Sequence, residues 1–290
     1  MNKALLLMAY GSPEKKEEIM DYLRDVFGGR DPPEFSIKET NSKYSAFGYK
    51  SPSSEILRSL IGKMRSNFHD YEIFMAFKHW NPSIIEIAKQ IQDGLYDHIV
   101  AFPLFPIRNN SIMKSYLDPL EKISKSIDLQ TNITAINGMS KSRILTTFWI
   151  NSLKSLAEPE DFVLFSAHSL PHTVEEESDY VLDLKSWTDK IAFGAKVDNY
   201  GIGFQSRGSY GKVWLEPSIY DILEQVQDKG YKRIVTVPVG FLYDHLEVLY
   251  DLDMLFGEKV KLKSMGYKRA QLPNDTDDAI RSIKECVEMA

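Results

Sequence analysis

The feature that most limits what this chain can fold into is a repeat it carries within itself. Leu6-Leu-Met-Ala-Tyr-Gly-Ser-Pro13 resembles Leu164-Phe-Ser-Ala-His-Ser-Leu-Pro171, and Ile99-Val-Ala-Phe-Pro-Leu-Phe105 resembles Ile234-Val-Thr-Val-Pro-Val-Gly240. The second copies follow in the same order as the first. Each is a short apolar run stopped by a turn that contains proline, as expected of a strand buried on both faces of a parallel sheet. Runs of this kind recur at Ala4–Ala9, Glu72–Phe77, His98–Phe105, Asn132–Ile136, Phe162–Ala167, Tyr200–Phe204, Arg233–Val239 and Val260–Met265. Helix-like stretches lie between them, at Ser54–Phe68, Pro82–Gly94, Ser111–Ser124, Lys141–Leu156, Glu216–Lys229 and His245–Phe256. The alternation predicts an α/β fold. The repeat predicts two similar Rossmann-like halves, each a mostly parallel four-stranded sheet flanked by helices, at about 1–145 and 146–290.

In open α/β sheets, ligands bind beyond the carboxyl ends of strands. Tyr10 and His168, which end the first pair of copies, and Pro103 and Pro238 in the second pair are therefore expected to face one cleft between the halves. The offsets of the two copied pairs, 158 and 135 residues, differ by about 23, which marks an insertion in the first half. The segment Phe27–Ser53 breaks the strand–helix rhythm and is the candidate. It reads as a long irregular loop, and its aromatic residues favour a binding loop or lid over a disordered insert.

Composition excludes some classes. The net charge of -6 gives no reason to expect nucleic acid as a partner. The single cysteine, Cys286, cannot form an internal disulfide or hold an iron–sulfur cluster. The apolar run of Met1–Met8 is too short for a signal peptide or a membrane span, so a soluble cytoplasmic protein is expected.

Two places carry candidate chemistry. His168 ends an apolar strand at a repeat-related position. A lone histidine there is more often structural, and only the repeat argues for a site; His172, beyond Pro171, reads as a surface residue. Glu247 and Asp251 are four apart and share a helical face, where like charges repel. Such a stripe after a strand suits divalent cations and proton removal. A solvated helix face is the plain alternative, and the apolar Val248-Leu249-Tyr250 between the two acids weakens it.

Ser166-Ala-His-Ser-Leu-Pro171 together with Pro238-Val-Gly-Phe and Asp244-His-Leu-Glu-Val-Leu-Tyr-Asp251 resembles the ferrochelatase family. Met8–Pro13, Tyr49-Lys-Ser-Pro-Ser53, Lys78-His79, Phe204-Gln-Ser206 and Trp214-Leu215 extend the likeness over nearly the whole chain. It is nearest the short soluble bacterial type. The resemblance implies a chelatase-type fold and an enzyme of haem synthesis that inserts Fe²⁺ into protoporphyrin IX or coproporphyrin III and releases two protons. It implies His168 and Glu247 as catalytic, with Asp251 joining them as metal ligands. It implies porphyrin contacts from Tyr10, Val26, Phe27, Arg30, Lys43, Ser51, Ser206 and Trp214, with Arg30 or Lys43 near a propionate. Iron and porphyrin are then substrates, with no permanently bound cofactor and no iron–sulfur cluster. Transient contact with other enzymes of haem synthesis is allowed, and no oligomeric state is specified.

The chain departs from the family pattern at three points. Leu104 stands where the family usually has histidine, Leu255 stands where close relatives continue the acid stripe, and the arginines of the lip are reduced to Arg30. Two other functions share much of the pattern. One is a cobalt or sirohydrochlorin-type chelatase, which tends to have histidine in place of Glu247. The other is a non-catalytic tetrapyrrole carrier, which would need no acid stripe.

Overall fold

The computed structural model describes residues 2–94, 96–126, 132–171, 177–208 and 213–290. His172 lies outside the described residues. The chain divides into two compact units: Met1–Leu104 with Asn110–Asn137 and Cys286–Ala290, and Phe105–Asn109 with Gly138–Glu285. The first unit runs β1 (Lys3–Ala9), α1 (Ile19–Val26), α2 (Glu34–Ser45), α3 (Ser53–Met64), β2 (Tyr71–Phe77), α4 (Ile84–Asp93), β3 (His98–Pro103), α5 (Asn110–Ser126), β4 (Asn132–Ala135). The second runs α6 (Arg143–Leu156), β5 (Phe162–His168), a π-helical turn (Glu177–Val181), α7 (Leu182–Ala195), β6 (Tyr200–Gln205), α8 (Ile219–Asp228) and β7 (Arg233–Val237). It continues through α9 (Leu246–Val248), a π-helix (Leu249–Phe256), α10 (Gly257–Leu262) and β8 (Gly266–Arg269). Helix α11 (Asp277–Glu288) closes the chain. No helix among the described residues is long and apolar enough to cross a membrane.

Both sheets are wholly parallel and share one strand order, β2-β1-β3-β4 in the first unit and β6-β5-β7-β8 in the second. The repeated segments occupy equivalent strands, β1 with β5 and β3 with β7. Helices cover both faces of such a sheet, so its central strands carry no polar face: Leu5, Leu6, Leu7 and Met8 are fully buried, as are Val163, Leu164 and Phe165. Each such side chain contributes about 1.5–3 kcal/mol by leaving water. The repeat also extends further than the sequence reading found. Pro82-Ser83-Ile84 opens α4 and Pro217-Ser218-Ile219 opens α8. Each serine accepts the third backbone N–H of its helix, while an acid at that position, Glu86 or Asp221, reaches back to the serine N–H.

The structure differs from the sequence expectation in four places. Helix α6 spans the expected boundary at 145/146, and the chain changes unit at 137/138 instead. The insertion at 27–53 is not one irregular loop, because it contains the twelve-residue α2. Tyr44 is the sole buried residue of α2, so the apolar periodicity that marks a helix is absent. The expected helix from His245 to Phe256 begins at Leu246, widens to π geometry at Leu249 and leads into α10. The first half of the expected strand Val260–Met265 lies in α10 and the rest in the turn after it, and the strand is Gly266–Arg269. Val-Lys-Leu-Lys alternates as a strand would, but Val260 is buried and Leu262 is 81% exposed. As an edge strand, β8 needs no apolar run.

Candidate active site

In the second unit, His168 is the last residue of β5 and is paired in register with Gln205 of β6. The loop leaving β7 passes close beside β5. Gly240 donates its N–H to the Ser166 carbonyl, and a Cβ on it would meet Ala167 Cα at 2.7 Å. Glycine is thus required where Pro238-Val-Gly240 turns toward the helix that carries Glu247. This close packing brings His168 Nε2 to 3.5 Å from Glu247 Oε1, with the two side chains 33% and 40% exposed. The other ring nitrogen, Nδ1, lies 2.5 Å from the Ser169 carbonyl and donates to it. The Tyr180 hydroxyl holds the His168 carbonyl at 3.0 Å.

Burial is the largest influence on the His168 pKa and pushes it down. The Glu247 charge and hydrogen bond, the Ser169 carbonyl and Asp251 together outweigh it, and the imidazole stays protonated to higher pH than usual.

The backbone of Glu247 is fixed from both sides. Its N–H donates to His245 Nδ1 at 3.2 Å, and its carbonyl accepts from Gln205 Nε2 at 2.8 Å. Gln205 is 3% exposed, and its own carbonyl accepts from Ser169 N–H. One buried glutamine therefore ties the histidine strand to the glutamate helix. The sequence reading missed its role, because a buried amide at a strand end carries no periodic signal.

Ser206 follows with φ at +56, left-handed for a residue with a Cβ, and donates its hydroxyl to Asp251 Oδ2 at 2.5 Å. Asp251 is 8% exposed. Among the described residues no three His, Cys, Asp or Glu side chains converge to hold a metal ion. Asp251 accepts the bond from Ser206 and adds its charge to the influences that raise the His168 pKa. Asp244 and Asp253, on either side of Glu247 in sequence, are both engaged by Arg269 of β8, at 3.2 and 2.7 Å. Trp214 bridges Pro171, and its ring lies against Gly208.

In the first unit, Tyr10 stands at the carboxyl end of β1, 44% exposed, with its ring centroid 4.7 Å from that of His79. His79 Nδ1 bonds Asp25 at 2.8 Å. Burial holds its imidazole below the ordinary range, opposed by Asp25 and assisted by Lys78. Gly11 has φ +98, and a Cβ there would meet Trp80 at 2.6 Å. The next residue, Ser12, bonds the Tyr44 hydroxyl at 2.7 Å, which ties the inserted α2 to the end of β1. Leu104 is buried after β3.

The expected porphyrin contacts of the insertion are placed as follows. Val26 and Phe27, at the end of α1, are half-exposed. Ser51 is 3% exposed and bonds Ser53 at 2.9 Å. Arg30 is exposed and donates Nε to the Phe27 carbonyl, and Lys43 lies 3.4 Å from Glu39 one turn earlier.

Two predictions test, at these positions, the porphyrin and iron contacts that the sequence resemblance implies. Because Arg30 is exposed to solvent screening, Arg30→Ala is expected to change the porphyrin KM less than about five-fold, the range of exposed pairs. A ten-fold change in steady-state assays would show that the arginine becomes shielded in the complex. Asp251→Asn is expected to raise the Fe²⁺ concentration needed for half-maximal rate several-fold and to leave the porphyrin KM unchanged. A loss as deep as that of a Glu247 variant would show that the two acids act as one unit.

A sequence model of the Ferrochelatase family matches residues 2–290. The ferrochelatase of Thermoplasma acidophilum is 39% identical over 291 residues, covering 100% of this chain and 92% of that protein. The coproporphyrin III ferrochelatase 1 of Bacillus cereus is 33% identical over 301 residues, covering 98% and 96%. Among solved structures, the cobalt complex of the sirohydrochlorin chelatase SirB from Bacillus subtilis superposes with TM-score 0.65 at 11% identity, over 99% of this chain and 94% of that one; it shows the shared fold. A match to the family along the entire strand–helix array, together with full-length relatives at 33–39% identity, shows that this chain belongs to the ferrochelatase family.

Proposed function

We infer that this protein is a ferrochelatase, which inserts Fe²⁺ into a porphyrin and releases two protons in haem synthesis. The observation that carries the reading is the His168–Glu247 pair, 3.5 Å apart where β5 ends. A free-base porphyrin presents two pyrrole N–H groups where the metal must enter, so insertion needs a base beside the ring. With Nδ1–H given to the Ser169 carbonyl, neutral His168 keeps its lone pair on Nε2, the nitrogen that faces Glu247. A pyrrole proton taken there makes an imidazolium that Glu247 stabilises. The same Nε2 lone pair and the carboxylate are suitable donors for ferrous iron in transit. Two donors release a metal more readily than a closed set of four, which suits a cation that is substrate. Tyr10 is proposed as a porphyrin contact, and Asp251 with Ser206 as the polar support behind the pair.

The test is anaerobic mixing of the protein with excess Fe²⁺ and either protoporphyrin IX or coproporphyrin III, followed by loss of free-base fluorescence. Many equivalents of product per protein are expected with at least one porphyrin. Uptake that stops at one equivalent would mean a carrier, not an enzyme.

A further inference from the structure

We propose that Lys78 binds a carboxylate of the tetrapyrrole substrate at the carboxyl edge of the first unit's sheet. Lys78 follows β2 directly, and its N–H bonds the Ala9 carbonyl, which places it beside Tyr10 at the end of β1. Its side chain is half-buried and reaches α5. There Nζ donates to Ser115 Oγ at 2.8 Å and lies 5.2 Å from the centroid of the Tyr116 ring. Ser115 spends its own hydrogen on the Ile112 carbonyl at 2.6 Å, so it offers the ammonium a lone pair and no charge.

Among the described residues, no carboxylate lies within ion-pair distance of Lys78. The nearby Asp25 is taken by His79. Withdrawing an ammonium from water against neutral partners alone is costly, and here burial lowers its pKa. A merely structural link to Ser115 would be served by a neutral amide without that cost. An ammonium has three donors, and the serine uses one.

Lys78 sits next to the junction of β1 with its neighbours, where open parallel sheets take their ligands. The insertion's cations are already engaged, Arg30 with a backbone carbonyl, Lys38 with Glu34, Lys43 with Glu39 and Lys50 with Glu55. Lys78 is therefore the cation of this unit best placed to take a propionate.

The proposal rests on the ferrochelatase reading for the identity of the molecule that carries the carboxylate, so its test uses binding without iron. Porphyrin affinity is measured by fluorescence titration for the wild type, Lys78→Met and Lys78→Arg. Each is titrated with coproporphyrin III and with the same ring fully esterified. Thermal unfolding of each variant reports folding. Lys78→Met is expected to weaken binding of the free acid about ten-fold, the scale of one shielded charge-assisted contact. It should leave the ester unchanged, and Lys78→Arg should recover most of the loss.

Equal affinity of folded Lys78→Met and wild type for the free acid overturns the proposal, even if inorganic phosphate stabilises the wild type and not the variant. That last result would make Lys78 a site for small free anions. Wild type that binds porphyrin through Lys78 but never turns over would defeat the ferrochelatase reading and leave this one intact.

Discussion

His168→Ala is expected to reduce metal insertion to background while porphyrin still binds. The imidazole is the group whose Nε2 faces Glu247 and whose Nδ1 is committed to the Ser169 carbonyl, so one substitution removes both the proposed base and the proposed nitrogen donor. A positioned acid–base group alone contributes about 10²–10⁴-fold, and loss of the metal donor adds to that. The backbone should hold its place, because β5 keeps its ladder to β6 and Tyr180 bonds the carbonyl of residue 168, not its ring. Binding by fluorescence quench and insertion by loss of free-base fluorescence separate the two effects. A variant that turns over within three-fold of wild type would remove His168 from the chemistry and return it to the structural role common for a histidine at a strand end.

Glu247→Gln is expected to lower the rate by at least about 100-fold, equivalent to ~2.7 kcal/mol of barrier. The substitution keeps shape and removes charge. The helix entrance depends on the backbone N–H and carbonyl of residue 247, bonded to His245 and Gln205, so the fold should be unaffected.

The pH dependence gives a second readout. Glu247 is the main influence raising the His168 pKa against burial. Only the neutral imidazole can accept a proton or bind iron, so the acid limb of the wild-type profile falls at the raised pKa. Removing the glutamate charge lets burial dominate, and the limb should move to lower pH while the maximum rate falls. An acid limb that stays in place would mean that His168 does not titrate in the rate-limiting step. A limb shifted upward would contradict the sign of the coupling.

How much of this was legible beforehand depends on the physical signal each feature leaves. The two-fold architecture was readable, because strands buried on both faces must be apolar throughout. Thus Leu5–Met8 and Val163–Phe165 stand out in any window. The equivalence of β1 with β5 and of β3 with β7 and the place of Tyr10 and His168 at strand ends followed from the repeat, whereas the strand order came only from the folded sheets. Helix α2 was not readable, since it buries one residue, Tyr44, against the turn at Ser12 and so lacks an apolar stripe. The edge strand β8 was hidden for the opposite reason: the alternating Val-Lys-Leu-Lys before it belongs to a helix that emerges from the π-helical stretch.

The sequence alone therefore determined the fold class and the repeat, because these depend on local patterning, and it singled out His168 and Glu247 as the proposed reacting pair through their family resemblance. Tertiary structure decided how the pair is held and which charges remain available to a ligand. The Gln205 bridge, the absorption of Asp244 and Asp253 by Arg269, the turning of Asp251 to Ser206 and the exposure of Arg30 all depend on contacts between residues distant in the chain. No spacing rule encodes such contacts, since they arise only when the strands and loops are packed against one another.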